Sequence, residues 1–482
     1  MQVSDLLNRE KLPAPVSHFP TKVLQFGEGN FLRAFVDWMI HEMNEKAGFN
    51  AGVTVVQPIP QGLAEKLDAQ QGLYNLYLNG IRGGEFVAEH SLIDVIQKAV
   101  DPYQDPQSYF EEALNPHLQF IVSNTTEAGI QFNPADKWED QPAASFPGKL
   151  TQFFHHRYRA LPDSPKLIVL PCELIEKNGD KLKETILQYV DLWDLDDPFK
   201  AWLEEKVFFC NTLVDRIVPG YPKDSIHDYW NTLGYKDELI VEGEVFHLWV
   251  IEGPSGLQEE LPTAKAGLNV IFSDDLAYYR TRKVRILNGA HTAMVPVAYL
   301  YGLDFVKEAV ENSLVGKFVH QAIFEEIIPS LTGDRDELER YAYEVIDRFK
   351  NPSIKHELIS ISLNSFSKFK TRVLPSILGY YDKEGSLPEL LLTSMAALLS
   401  FYKGKRFDDE IPLKDEKWVL EMMRRVWQDC DGTQGAVQHL VQEVLSQQEL
   451  WGQDLTQVPG FVDSVANKVV AIQDKGIAKL LL

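Results

Sequence analysis

Apolar runs alternate with amphipathic stretches over residues 1–275, and this alternation predicts an α/β domain. The predicted strands are 22–26, 53–57, 118–123, 166–171, 207–218, 245–251 and 268–272. Several of these runs are almost continuously apolar, which is typical of strands that are covered on both faces. Because helical stretches such as 179–193 separate them, we expect βαβ units and a mostly parallel sheet.

The pattern becomes helical after residue 275. In the segment 418–427, the apolar positions follow the i, i+3, i+4, i+7 spacing of one helix face. Comparable stretches lie at 304–329, 335–349, 387–402 and 433–447. We predict an α/β domain at 1–275 followed by an all-α domain at 276–482, with the functional site in a cleft between them.

The composition narrows the classes of function. Of 482 residues, 45% are hydrophobic, and 70 Asp and Glu against 47 Lys and Arg give a net charge of −23. Such a chain repels phosphate groups, so we expect no nucleic-acid or membrane partner, and an anionic ligand requires a local basic patch. Three cysteines without a CxxC spacing, and the lack of a long apolar run, predict a soluble cytoplasmic protein. Without an HExxH motif or a Cys/His cluster, we expect no metal site.

A glycine-containing turn follows the first predicted strand. Strand, glycine turn and helix N-terminus together bind the pyrophosphate of a dinucleotide, because glycine lets the backbone approach closely and free N–H groups attract the charge. Leu32 stands where a GxGxxG motif has its third glycine, so a plain tight turn is the alternative interpretation. We predict a Rossmann-like domain and an amphipathic helix that continues from the turn. The first candidate cofactor-binding residues are Phe26, Gly27, Glu28, Gly29, Asn30 and Phe31.

The end of the second predicted strand bears on the choice of cofactor. A carboxylate at this position binds the ribose 2′-hydroxyl of NAD, whereas a nearby positive charge favours the 2′-phosphate of NADP. Here the strand ends at Gln57, whose amide can bond a hydroxyl but carries no positive charge. NAD is therefore the expected cofactor, and Gln57 is a candidate contact to its ribose.

Three polar side chains are grouped where the helical half begins, namely Lys283, Asn288 and His291. On an α-helix that turns about 100° per residue, Lys283 and His291 lie about 80° apart, and Asn288 and His291 lie about 60° apart. A lysine whose ammonium is desolvated can act as a base, and an amide beside an imidazole can polarise a carbonyl or alkoxide oxygen. A solvated helix face is the alternative interpretation.

These motifs carry a resemblance to the polyol-specific long-chain dehydrogenases, a family that includes mannitol 2-dehydrogenase and the hexuronate reductases. Residues 27–34 match the start GxGxFxRA, and residues 283–291 match the signature KxxxxNGxH. The chain is most similar to the hexuronate reductases, with which it shares the phrases QFGEGNFLRAFVDW, SNTTEAGI, PCELI, LVDRIV, ILNGAHTA and NPSIKHELISI. The resemblance runs over the whole chain in the same domain order.

The resemblance implies a metal-independent, reversible hydride transfer between NAD and a keto sugar acid. The implied reaction is the reduction of D-tagaturonate to D-altronate in hexuronate catabolism. Lys283 would be the general acid/base that exchanges a proton with the reacting oxygen. Asn288 and His291 would bind that oxygen and orient the substrate.

The resemblance also implies further contacts to substrate and cofactor. Asp215 and Lys368 match substrate-site positions of the family. An anionic substrate needs a cation, and Lys370 and Arg372 join Lys368 in a basic cluster, with a surface charge run as the alternative for Lys370 and Arg372. A loop that follows a core strand would lie near the nicotinamide side, with an ordinary strand-to-helix cap as the alternative. Its residues are Asn124, Thr125, Thr126 and Glu127.

Two positions depart from the mannitol branch of the family. Its asparagine for the oxyanion falls on Leu174, and its substrate-contacting arginine falls on Ser360. Both changes concern substrate choice and weaken a mannitol assignment. The open alternatives are a fructuronate reductase, a mannitol-type 2-dehydrogenase, an NAD-binding sensor without turnover and a sugar-acid isomerase with bound NAD. The expected partner is a small keto or hydroxy sugar acid, and the expected assembly is a monomer or small homo-oligomer.

Overall fold

A computed structural model describes residues 5–12, 18–126 and 128–482 of the chain. The chain divides into two compact units. The first comprises Met1–Asn79 and Val87–Leu276, and the second comprises Gly80–Phe86 and Ala277–Leu482. A parallel sheet organises the first unit, and helices make up most of the second.

The strands of the described residues follow one another in this order: β1 Thr21–Phe26, β2 Gly52–Val56, β3 Tyr74–Arg82, β4 Glu85–Ile93, β5 Ile96–Val100, β6 Phe120–Ser123, β7 Leu167–Pro171, β8 Val207–Phe209, β9 Asn211–Asp215, β10 Val241–Glu244, β11 Leu248–Glu252, β12 Val270–Phe272, β13 Lys405–Arg406 and β14 Asp409–Glu410.

The α-helices are α1 Asn30–Ala34, α2 Val36–Ala47, α3 Ala64–Ala69, α4 Pro106–Glu111, α5 Phe146–Ala160, α6 Asn178–Leu192, α7 Asp197–Lys206, α8 Ile226–Leu233, α9 Leu257–Glu260, α10 Leu276–Arg282, α11 Gly289–Tyr301, α12 Val306–Glu311, α13 Ser313–Gln321, α14 Ile328–Ser330, α15 Arg335–Phe349, α16 Leu358–Ile361, α17 Ser365–Arg372, α18 Leu374–Glu384, α19 Glu389–Phe401, α20 Lys417–Gln428, α21 Gln434–Leu445, α22 Gln448–Trp451 and α23 Phe461–Lys475. Two segments are π-helical, Lys283–Asn288 and Ala322–Ile327. Short 3₁₀ turns occupy Arg9–Lys11, Glu112–Leu114, Leu455–Gln457 and Ile477–Leu480.

The central sheet contains six parallel strands in the order β5-β2-β1-β6-β7-β8. Strands are added first on one side of β1 and then on the other, so the order reverses between β1 and β6. In the register, Phe26 lies opposite both Val56 and Ser123, and the loops after these strands start at one edge. Open α/β sheets bind ligands at such a reversal, outside the carboxyl ends of the strands. The predicted Rossmann-like, mostly parallel sheet is confirmed.

Alternate residues of the central strands pack into two separate hydrophobic cores. Val23 and Val55 belong to one core, and Leu24 and Ile121 belong to the other. Since strand side chains alternate between the two faces of a sheet, both faces are buried. This arrangement explains why the strands are almost continuously apolar in sequence.

The remaining strands of the first unit form two smaller sheets, ordered β10-β3-β4 and β12-β11-β9. The single strand predicted at 207–218 is wrong, because the structure has β8 in the central sheet and β9 in a smaller one. The chain bends between them at Cys210, where α6 passes so close that a Cβ on Gly179 would lie 2.1 Å from the Cys210 carbonyl oxygen. The Asn178 side chain bonds both backbone groups of Thr212 and fixes the new direction.

The helix predicted to continue from the glycine turn is interrupted at Phe35, between α1 and α2. Two side chains from elsewhere bond the carbonyls that a continuous helix would use. The Tyr74 hydroxyl donates to the Arg33 carbonyl at 2.7 Å, and the Arg216 guanidinium donates to the Ala34 carbonyl at 2.5 Å. Tertiary contacts therefore override the local helical pattern at this point.

The helical half follows the periodicity of the sequence. The stretch predicted at 335–349 is α15, and the stretches at 387–402 and 433–447 correspond to α19 and α21. The stretch at 304–329 is divided into shorter helices and a π-helical segment. Among the described helices, none combines the length and apolar character needed to cross a bilayer.

Candidate active site

The turn after β1 lies where the strand order reverses. Gly27 has a φ of +119°, in the left-handed region that favours glycine, and its N–H donates to the Val56 carbonyl at 3.1 Å. A Cβ at this position would lie 3.3 Å from the carbonyl oxygen of Asn124, the first residue after β6. The loops that follow β1 and β6 therefore approach each other closely, and glycine permits this approach.

A pocket of 530 Å³ opens beside these loops, within the first unit. Its volume falls in the range of about 300–1,000 Å³ that is usual for small-molecule sites. The loops after β1, β2 and β6 and the segment leading into α5 form its walls. Lining residues from outside the predicted set include Pro58, Ile59, Gly129, Phe132, Ser145 and Phe146.

The predicted cofactor contacts divide into two groups. Those that line the pocket are Gly27, Glu28, Gly29, Asn124, Thr125 and Thr126. Those outside its lining are Phe26, Asn30, Phe31 and Gln57. Phe26 packs its ring against Phe146 in the core, Asn30 accepts from Arg33, and Phe31 stacks on Phe35. Glu127 lies outside the described residues.

Gln57 bonds its own loop. Its Nε2 donates to the carbonyls of Ile59 at 3.0 Å and Pro60 at 3.2 Å, and its Oε1 accepts from the Ala64 N–H at 3.3 Å. These bonds shape the loop whose Ile59 lines the pocket. A contact from Gln57 to a ribose stays a prediction.

Glu28 is a buried carboxyl group at the glycine turn. It is 7% exposed, and its Oε1 accepts from the Leu63 N–H at 3.1 Å. Burial raises the pKa of Glu28, which favours the neutral form.

Buried polar side chains bond the backbone of the glycine turn. Arg33 is 2% exposed and donates to the Glu28 carbonyl at 3.0 Å. Gln25 donates through Nε2 to the Gly27 carbonyl at 3.1 Å and to Asp37 Oδ2 at 3.3 Å. Burial raises the pKa of Asp37 to about 7. These bonds fix the carbonyl groups of Gly27 and Glu28 in the glycine turn.

In the second unit, the three predicted catalytic residues lie in and just after a π-helical segment, Lys283–Asn288. The Gly289 N–H bonds the Val284 carbonyl five residues earlier, which is the π-helical spacing. This spacing brings residues four and five apart toward one side, so Lys283 and Asn288 lie closer in angle than on an α-helix. The assumption of a regular α-helix is therefore wrong here. π-Helical turns occur frequently at functional sites.

Two arginines anchor the π-helical segment, one just before it and one within it. Arg282, just before it, is 5% exposed and pairs with Glu337 of α15. Arg285 donates from Nε to Ser376 Oγ at 2.7 Å and from Nη2 to Ser330 Oγ at 3.4 Å. Burial lowers the pKa of Arg285 to about 10. Lys283 lies between these anchored side chains and is itself partly exposed.

His291 is 8% exposed and is held between two rings of the second unit. It stacks on Phe349 with centroids 4.1 Å apart and meets His356 edge-on at 5.1 Å. Its Nε2 is buried and has no hydrogen-bond partner among the described residues. Burial, and then the charges of His356, Arg348 and Arg372, lower the pKa of His291 well below its usual value, so the ring is neutral. A buried nitrogen without a partner is suited to a ligand oxygen.

The sequence did not identify Phe349, His356 or Arg348 as part of this surrounding. His356 stands in the phrase NPSIKHELISI, but one histidine in a polar stretch is no specific signal. The three residues lie more than fifty positions from His291 in sequence. Packing of α15 against the π-helical segment brings Arg348 and Phe349 there, and the loop between α15 and α16 brings His356.

The predicted substrate contacts lie in different parts of the structure. Lys368 and Arg372 are on α17 of the second unit, and Lys368 Nζ donates to the Ile361 carbonyl at 2.7 Å. Burial and then the charge of Arg372 lower the pKa of Lys368, and burial lowers the pKa of Arg372. Asp215 is buried at the end of β9 in the first unit, outside the pocket lining. Leu174 is 67% exposed.

Among the described residues, no group of three or more His, Cys, Asp or Glu side chains is placed to hold a metal ion. Cys172 and Cys210 are free and buried, and burial raises the pKa of both thiols. These thiols are therefore poor nucleophiles and poor ligands.

Known family models match both units of the chain. A family model described as the mannitol dehydrogenase Rossmann domain matches residues 21–265, and one described as the mannitol dehydrogenase C-terminal domain matches residues 275–473. An altronate oxidoreductase of Bacillus subtilis (strain 168) is 48% identical over 467 residues, which cover 96% of this chain and 95% of that protein.

Solved structures share the fold. A D-sorbitol dehydrogenase in substrate-free form superposes with a TM-score of 0.79 at 20% identity, covering 99% of this chain and 98% of its own. The mannitol 2-dehydrogenase of Pseudomonas fluorescens, in a ternary complex with NAD and D-mannitol, gives a TM-score of 0.65 at 21% identity, with 98% of each chain covered. At these identities the likeness concerns the fold alone.

Proposed function

The chain belongs to the mannitol dehydrogenase family, and on this premise we propose that it is an NAD-dependent reductase that converts D-tagaturonate to D-altronate. It is an oxidoreductase that acts on CH–OH groups, and the transfer is reversible. The full-length similarity to an altronate oxidoreductase supports a hexuronate as the substrate. D-Fructuronate, which differs in stereochemistry, and neutral fructose are the alternatives.

The positive charge around His291 is the observation that favours an acidic substrate. The arginines that lower its pKa are Arg348 and Arg372, while the chain as a whole carries a net charge of −23. A local group of cations in an acidic protein suits a ligand with a carboxylate, because partly buried charges are screened less than exposed ones. A neutral polyol can accept hydrogen bonds from these arginines but lacks the charge that strengthens such bonds.

The pocket at the strand reversal supports NAD as the cofactor. Its volume, the left-handed Gly27 and the close approach of the loops after β1 and β6 fit a dinucleotide. Bound NADH supplies the hydride that reduces the keto carbon. Backbone N–H groups at the turn hold the pyrophosphate, and Thr125 and Thr126 contact the half of the dinucleotide beside β6.

The second unit supplies the proton in this proposal. As the keto carbon is reduced, negative charge develops on its oxygen. The Asn288 amide and a neutral His291 protonated at Nε2 donate hydrogen bonds to that oxygen. Lys283 transfers a proton from Nζ to it, which completes the alcohol, and then takes up a proton from solvent. In the reverse direction, neutral Lys283 accepts the hydroxyl proton.

The first experiment measures absorbance at the NADH band with purified protein. D-Tagaturonate, D-fructuronate and fructose are each offered with NADH and with NADPH. Rapid loss of NADH with tagaturonate alone is the expected result. A preference for fructuronate or fructose overturns the substrate but not the fold or the chemistry. Interconversion of sugar acids without added cofactor indicates an isomerase with bound NAD.

The variant Lys283→Ala tests the proton transfer. Loss of a general acid lowers turnover by roughly 10²–10⁴-fold, and we expect the affinity for NADH to be unchanged. Lys317→Ala, an exposed lysine of the same unit, is the matched control and should retain full activity. Equal turnover in Lys283→Ala and an active wild type would contradict this role of Lys283. No turnover in either protein, with NADH still bound, would favour an NAD-binding sensor.

A further inference from the structure

A buried carboxylate anchors the loop that follows β6. Glu173 is 2% exposed and lies just after β7. Its Oε1 accepts from the Thr125 N–H at 2.9 Å and from the Thr125 hydroxyl at 3.0 Å, and its Oε2 accepts from Ser123 Oγ at 3.1 Å. One side chain thus bonds both the backbone and the side chain of a residue that lines the pocket.

The backbone around Glu173 is itself held in place. The Cys172 N–H donates to the Ser123 carbonyl at 2.7 Å, and Asn124 Nδ2 donates to the Cys172 carbonyl at 2.7 Å. Asn178 Nδ2 donates to the Glu173 carbonyl at 3.1 Å. The carboxylate therefore projects from a fixed backbone and transmits that rigidity to the loop.

The Thr125 side chain is enclosed on its other side by the same loop. A Cβ on Gly129 would lie 2.1 Å from Thr125 Oγ1, so the two residues are in close contact. Gly129 also lines the pocket. The Thr125 hydroxyl is held between Glu173 and Gly129, and its rotamer is determined by both neighbours.

We propose that Glu173 is a positioning residue for cofactor binding: it fixes Thr125 in the orientation that contacts the nicotinamide half of the dinucleotide. The assignment of this half follows from topology, because β6 begins the second mononucleotide-binding half of a Rossmann sheet, whereas the first half holds the adenosine. The inference rests on the proposed assignment of the pocket to NAD. No contact from Glu173 itself to the cofactor is required.

The test compares binding of NADH with binding of AMP, which occupies only the adenosine half. Without Glu173, binding of NADH must itself order the backbone and side chain of Thr125, and this cost corresponds to roughly ten- to a hundredfold in Kd. We expect Glu173→Ala to raise the Kd for NADH at least about tenfold and to leave the Kd for AMP within about twofold. Glu173→Gln, which keeps the shape and one accepting oxygen, should lie between Glu173→Ala and the wild type.

Glu326→Ala is the matched control for a loss of stability. Glu326 is also a buried carboxyl, in the second unit, and accepts the N–H groups of Leu390 and Leu391 at 2.8 Å each. Its removal should lower the unfolding temperature to a similar extent without changing either Kd. If Glu173→Ala or Glu173→Gln lowers the unfolding temperature and binds NADH as the wild type does, the role is structural and the inference is overturned.

Two further outcomes are distinguishable. Equal weakening of NADH and AMP by Glu173→Ala would mean that the carboxylate supports the whole pocket, which also overturns the inference. If the wild type binds NADH but does not reduce tagaturonate, the proposed substrate fails while the effect of Glu173 on binding is still measured. A selective loss of NADH affinity in both Glu173 variants supports the positioning role.

Discussion

Gly289 stands between two of the proposed catalytic residues, and its lack of a side chain is required by packing. Its backbone is ordinary right-handed helix, with φ −65° and ψ −48°, so no special conformation explains a glycine here. A Cβ at this position would lie 2.9 Å from the carbonyl oxygen of Arg372 at the end of α17. Ordinary contact begins at 3.4 Å, and the obstacle is backbone, which cannot rotate away.

The geometry therefore sets the change in stability that we expect from the substitution Gly289→Ala. Either α17 or the helix that contains Gly289 must move by about 0.5 Å, and overpacking of this kind costs about 1–3 kcal/mol. The gain in helix propensity from Gly to Ala returns up to about 1 kcal/mol, which leaves a net loss of up to about 2 kcal/mol. A shift of about 0.5 Å equals the tolerance of a catalytic arrangement, and we expect kcat/KM to fall roughly tenfold.

The assay combines urea unfolding with the initial rate of NADH oxidation. Gly435→Ala in α21 is the matched control, because nothing lies within 4 Å of a Cβ at that helical position. The control should gain about 0.5–1 kcal/mol of stability and keep full activity. If Gly289→Ala behaves like Gly435→Ala in both measurements, the packing argument for this glycine is refuted.

Two further predictions concern charge. Arg372→Met should raise the KM for a uronate about tenfold or more, because a charge-assisted hydrogen bond is lost, and should leave the KM for a neutral ketose unchanged. Lys370→Met on the same helix is the control. Equal effects of Arg372→Met on both substrates would exclude carboxylate recognition by this arginine. Burial raises the pKa of Asp37 from 3.8 to about 7, so the folded state binds this proton more tightly and the free energy of unfolding declines as pH rises through that window. Asp37→Asn should reduce this decline in urea titrations between about pH 5 and 8, and an unchanged slope would contradict the assignment.

The sequence predicts most strands of the central sheet and of the sheet β12-β11-β9, but it misses β5 and all three strands of the sheet β10-β3-β4. Strands covered on both faces need apolar residues at nearly every position, and such runs are visible without any tertiary information. The prediction missed β3, β4 and β5 because polar residues interrupt their apolar positions, and β4 is exposed or half-buried at all but its last residue. The pair Gly83-Gly84, with φ of +61° and +82°, is a usable signal for a two-residue hairpin turn between β3 and β4.

The sequence provides candidate site residues but not their geometry. Lys283, Asn288 and His291 stand out by their spacing, yet the spacing assumed an α-helix. The π-helical turn is held by Glu337 and Ser376, which lie far away in sequence, and no local pattern reveals them. Glu173 stands in the phrase PCELI, but the sequence does not reveal its bonds to the loop after β6, because these depend on strand order in the folded sheet.

The acidic composition and an acidic substrate are compatible because the two sets of charges act over different distances. At physiological ionic strength, interactions between exposed charges are largely screened beyond about 8 Å, so acidic groups spread over the surface contribute little at any one point. Arg348 is 5% exposed and Arg372 is half-buried, and their fields are screened much less. A carboxylate beside them responds to these cations rather than to the net charge of −23. Because the same cations lower the pKa of His291, one local concentration of positive charge favours a uronate and keeps the imidazole in its neutral form.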